Sequence, residues 1–93
     1  MFLAKVIGNV VATHKSPELE GMKLLFIQPY TNGSSALVEA GLAMVAVDSV
    51  GAGIGELVLF TQGSSARLAH NTKTAPADAV IVAIVDSVEV ESR

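Results

Sequence analysis

Two stretches of this 93-residue chain carry residue types that can do chemistry. Gly51, Gly53 and Gly55 in "GAGIGE" follow an apolar run, and "GSSAR", Gly63 to Arg67, sets two serines before an arginine. A phosphate cradle would be the chemistry of the first, a nucleophile or anion site that of the second. Dinucleotide sites use G-x-G-x-x-G between a strand and a helix whose N-terminal amides face the pyrophosphate, with an acid about twenty residues on. Here the spacing is G-x-G-x-G, and "ELVLF" behind it is a β run rather than a helix. No lysine follows the last glycine, so a P-loop fails as well. The glycines read as a tight connection between two strands, and no cofactor is expected.

Ser64 or Ser65 would be a nucleophile only beside a base. His70 lies about a turn and a half downstream, but no G-x-S-x-G elbow is present. Gly63 and Ser64 fit a helix N-cap, where orphan amides also favour a small anion, and Arg67 fits a carboxylate partner. Asp48, Asp78 and Asp86 form no dyad spacing. Asp78 after Pro76 reads as a turn residue, whereas Asp48 and Asp86 sit in apolar runs and need partners if buried, Arg67 being the first candidate. No catalytic residue is expected.

The composition narrows the classes further. Zero cysteines exclude disulfides, thiolate catalysis and cysteine metal sites, and His14 and His70 form no local ligand motif, so no metal is expected. Net charge is -3 and aromatics are 4%, which leaves neither the basic patch nor the stacking platforms of a nucleic-acid site. The apolar runs are broken short of the ~18 residues of a membrane span. Lys5 and Asn9 interrupt the first run, which fits no secretion signal, and a cytoplasmic protein is expected.

These residues must be carried by strands. Phe2 to Ala12 has an apolar even face, with Gly8 marking a bulge or bend. "KLLFIQPY" follows a Ser16-Pro17 and Gly21 loop, and Pro29 ends it or confines it to an edge. "TNGSSALVEAGL" reads as a loop with a short helical turn at "SALVEA". "AMVAVDSV", "ELVLFT" and "AVIVAIVDSVEV" supply three more strands, and "GSSARLAH" the one short helix. Residues 1–93 are read as a single all-β domain, a small five-stranded OB-like β-barrel. Hydrophobic residues make up 51% and charged ones 16%, and the last strand is apolar on both faces through Val85. Its outer face is therefore expected against another subunit.

Four collinear blocks carry a resemblance over most of the chain: "FLAKVIGNVVATHK", "LEGMKLLFIQP", "VAVDSVGAGIGELVLFTQGSSAR" and "PADAVIVAIVDSV". Together they resemble the EutN/CcmL family, the pentameric vertex proteins of bacterial microcompartment shells. The resemblance implies an OB-like barrel in a ring of five that closes the five-fold corners of the shell, without catalysis. Hexameric facet proteins would be its main partners. A closed ring needs a heterologous interface, and Gly63, Ser64, Ser65, Ala66 and Arg67 are expected near the five-fold axis, with Arg67 paired to Asp48 or Glu56 of its own or a neighbouring chain. The alternative on the same fold is an OB-like module that binds an oligonucleotide or other small polymer.

Overall fold

Valine, isoleucine and leucine runs punctuated by glycine and asparagine become six strands in the computed structural model, in which residues 1–12, 17, 21–33, 36–63 and 79–89 are described. They are β1 Phe2–Val10, β2 Lys23–Asn32, β3 Leu37–Glu39, β4 Met44–Asp48, β5 Leu57–Gln62 and β6 Ala79–Val85. Pairing runs β1-β5-β6-β4-β2-β3, and β1 also pairs with β2. The ring β1-β2-β4-β6-β5 is thereby closed, with β3 added outside it along β2. Only β4 and β6 run parallel. This is the expected OB-like barrel, whose closure leaves no open sheet edge in the wall.

Alternation sends one face of each strand inward. Ala4, Val6, Leu25, Ile27, Val58, Phe60 and Ile81 are at most 1% exposed and form the core with Ala46, Ala52 and Ala79. Alanines beside one phenylalanine and a few branched chains suit the narrow bore of five strands. Burying each of the larger side chains contributes about 1.5–3 kcal/mol.

The bulge expected at Gly8 is present. Val6 pairs with Ile27 and Gly8 with Phe26, so Ile7 is the extra residue. An inserted residue reverses which face follows, and this corrects the continuous even face read from sequence. Ala4 and Val6 point inward, whereas Gly8 and Val10 pair with the outward Phe26 and Leu24. In β6 Val82 is extra in the same way, between the Phe60–Ile81 and Leu59–Ala83 pairs.

Three further expectations are corrected. "SALVEA" holds no helical turn at its centre: Leu37–Glu39 is β3, paired with Tyr30–Asn32. Asn32-Gly33 opens the hairpin, and the Gly33 amide donates to the Ala36 carbonyl at 2.8 Å. Pro29 does not end β2, because its ring falls where β2 changes partners from β4 to β3 and no ladder donor is needed. Its carbonyl accepts from the Ala40 amide at 2.9 Å on that same side. The last strand stops at Val85, which leaves Asp86 exposed in a bend rather than buried in a strand.

Val80 is fully buried within the single chain and packs with Val47, Met22, Leu24 and Val82 in a second apolar cluster outside the barrel. Thr61 pairs with Val80 across the strands, and its buried Oγ1 makes no hydrogen bond. The expected helix, Gly63 to His70, lies outside the described residues except for Gly63. No α-helix occurs among the described residues.

Candidate functional site

The glycine stretch lies in the connection from β4 to β5, at the barrel end where Asp48 and Lys23 face each other across the strands. The Asp48 side chain is fully buried. Its Oδ1 accepts from the Val50 amide at 3.0 Å and its Oδ2 from the Ala52 amide at 2.9 Å. Lys23 Nζ stands 3.8 Å from Oδ2 and donates to the Ala52 carbonyl at 2.8 Å. A carboxylate so engaged has a backbone amide on each oxygen and holds the turn closed. The lysine side chain is 56% exposed, so the charge pair itself contributes at most about 1 kcal/mol. The two amide bonds matter more.

Farther along the same turn, Glu56 Oε1 accepts from the Gly53 amide at 2.6 Å. The Gly55 amide donates to the Val6 carbonyl at 2.8 Å, and the Val6 amide to the Glu56 carbonyl at 2.9 Å, docking the turn onto β1. Gly51 and Gly55 have φ of 85° and 92°, in the left-handed region that L side chains resist. Three amides that a phosphate would use, those of Ala52, Gly53 and Gly55, therefore serve the chain itself. Two of them are taken by carboxylates, which would also repel an anion.

The other candidate begins at the opposite end. β5 and β6 pair from Gln62–Ala79 down to Leu57–Val85, so the strand ends flanking residues 63–78 sit side by side. Gly63 leaves β5 with φ of 63°. Ser64, Ser65, Ala66 and Arg67 lie outside the described residues, as do His14, His70 and Asp78. A groove of about 320 Å³ opens at this end between Phe2, Pro29, Tyr30, Leu42, Met44 and Phe60. The Phe2 and Phe60 rings pack there with centroids 5.6 Å apart and planes tilted by 38°. Gly63 is separated by the length of β5 from Glu56, roughly 20 Å at ~3.3 Å per residue.

Sequence reasoning missed Lys23 as the companion of Asp48. The signal was available only through strand register, since the two are far apart in sequence and meet as cross-strand partners. Among the described residues no cluster of three His, Cys, Asp or Glu side chains is placed to hold a metal. No helix among them is long and apolar enough to cross a membrane.

Comparison with known proteins matches the chain over residues 1–86 to the family described as "Ethanolamine utilisation protein EutN/carboxysome". The carboxysome shell vertex protein CcmL of Synechococcus elongatus is 45% identical over 93 residues, covering 100% of this chain and 91% of that protein. The bacterial microcompartment shell vertex protein PduN of Salmonella typhimurium is 47% identical over 88 residues, covering 94% and 97%. The solved structure of the GrpN pentameric microcompartment shell protein from Rhodospirillum rubrum superposes with a TM-score of 0.81 at 46% identity, covering 98% of this chain and 100% of that one.

Proposed function

The chain belongs to the EutN/CcmL family, and on that premise we propose that it is a structural shell protein whose homopentamer caps the five-fold vertices of a bacterial microcompartment. Its place is then in the shell of that compartment, inside the cytoplasm. The single observation that carries this reading is the end-to-end likeness to the pentameric GrpN, at 46% identity and a TM-score of 0.81. The closed barrel fits the role, because it offers rigid walls with which to meet neighbours. The alternative, an oligonucleotide-binding module, draws no support from the comparisons.

Residues 1–93 act as one vertex domain in this reading. The ring works without catalysis or cofactor, consistent with a glycine turn whose amides are occupied by the chain's own oxygens. Hexameric facet proteins are its partners in the shell. Gly63 to Arg67 lies at the subunit boundary near the five-fold axis, with Arg67 paired to an acid. Asp48 is engaged by Lys23 and two amides and Glu56 by the Gly53 amide, but Asp48 is buried whereas Glu56 is exposed, so Glu56 of a neighbouring chain is the partner assigned to Arg67 in this reading.

Native mass spectrometry of the wild type and Arg67→Glu tests both levels. A wild-type pentamer with reduced pentamer content in the variant supports the assignment. An unchanged pentamer in the variant removes Arg67 from the interface, and a wild-type monomer removes the vertex role.

A further inference from the structure

Cysteine is absent from this chain, so its soft sulfur nucleophiles are the thioethers of Met1, Met22 and Met44. Oxidation of such a sulfur follows its access to solvent. Met1 is 79% exposed at the chain end, and Met22 packs against the Val47 and Val80 cluster outside the barrel. Met44 differs in what surrounds its sulfur.

Met44 opens β4, where it pairs with Ile27 of β2. Its side chain packs on the rim of the main core and also lines the groove shared by Phe2, Tyr30 and Leu42. It is therefore half-buried, with one side open to solvent. Gln62, the exposed last residue of β5, lines the same groove, and its Nε2 donates to Met44 Sδ at 3.6 Å. A thioether is a weak acceptor, and at an exposed site the amide has water as an alternative, so this bond contributes little to stability. What it fixes is direction: an N–H donor already aims at the sulfur. An oxygen added to that sulfur is a far stronger acceptor for the same donor.

We propose that Met44 is a site of oxidation by hydrogen peroxide and that Gln62 holds the sulfoxide formed there. A sulfur lone pair attacks one peroxide oxygen, and the S–O bond forms as the O–O bond breaks. The departing hydroxide takes the proton of the transferred oxygen and leaves as water. The thioether is thereby oxidised to a sulfoxide and the peroxide reduced to water. A sulfoxide inside a core disrupts it. Here the new dipole faces the groove, where Gln62 meets it, while the buried Ile27 and Phe60 keep their packing. Nothing in this chemistry depends on the number of subunits in the assembly.

Peroxide treatment of the intact protein, followed by tryptic mass analysis, tests the site. Cleavage after Lys5, Lys15, Lys23 and Arg67 puts Met1, Met22 and Met44 on separate peptides. The peptide of residues 24–67 gains about 16 Da in folded wild type, and Met44→Leu abolishes the gain. Oxidised wild type keeps a thermal midpoint near that of the reduced protein, whereas oxidation lowers the midpoint of Gln62→Leu by at least about 4 °C more, as loss of one hydrogen bond does in a domain of this size. Oxidation at Met1 and Met22 moves both proteins alike and cancels in the comparison. A 24–67 peptide that stays unmodified while Met1 is fully oxidised overturns the site, and equal drops in the two proteins overturn the role of Gln62. If Gln62→Leu fails to fold, Gln62→Glu, which keeps the shape and removes the donor, gives the readout by the same criterion.

Discussion

Asp48 holds the turn after β4 by two amide bonds, one of them to the buried Ala52. Asp48→Ala leaves those donors without partners, at a cost of about 2–3 kcal/mol. Thermal denaturation should show a midpoint lower by several degrees, and Asp48→Asn, which keeps one acceptor oxygen, should lose less. An unaltered midpoint in the alanine variant would show that the turn does not depend on the carboxylate. Thr61 works in the opposite direction, since its buried hydroxyl makes no hydrogen bond. Thr61→Val removes an unmet polar group at little change in shape and should raise stability by about 1 kcal/mol; a lower midpoint would mean that the hydroxyl is used. At this scale the sequence was partly legible. Glycine spacing alone excluded the cofactor motif, but it could not reveal that Asp48 and Glu56 occupy the turn's amides, because those bonds depend on how the turn folds back. Lys23 was hidden for the same reason, being 25 positions from Asp48 and brought beside it only by register.

The element that most narrowly constrains its sequence is the β2–β3 hairpin. A Cβ placed at Gly33 would stand 2.6 Å from the Ala36 carbonyl oxygen and 2.9 Å from Val38 Cγ1. Backbone cannot yield as a flexible side chain does, so Gly33→Ala should cost about 1–3 kcal/mol and detach β3. Hydrogen exchange reads this directly: the Gly33 and Ala40 amides, which donate to Ala36 and Pro29, should lose protection while the Leu25 and Ile27 region keeps it. Retained protection at Gly33 would show that the hairpin tolerates the methyl group. The five barrel strands were legible because each is an apolar, β-branched run bounded by turn residues. β3 was not, since Leu37–Glu39 is too short to show a period and its alanine and glutamate neighbours favour a helix. The flip of β1 at Ile7 was half legible. Gly8 announced the bulge, but only pairing with β2 shows which residue is extra and which face follows it.

For the whole molecule, length and composition pointed to an apolar surplus in a small barrel, and the structure locates it. Part is covered within the chain by the Val47 and Val80 cluster, and part remains on the wall at Ile7, Phe26 and Val45. A surplus on a closed barrel serves assembly through its faces, because each of the five wall strands already has a partner on both sides. The account accordingly predicts no nucleotide affinity: titration with ATP or NAD should leave the thermal midpoint unmoved, and a clear upward shift would reopen the glycine turn as a ligand site. Its central claim is that this chain functions as a ring of five, and the mass of the native oligomer in solution tests that most directly. The account predicts a particle of five copies that persists on dilution; a stable monomer, or a closed assembly of any other number, would contradict it.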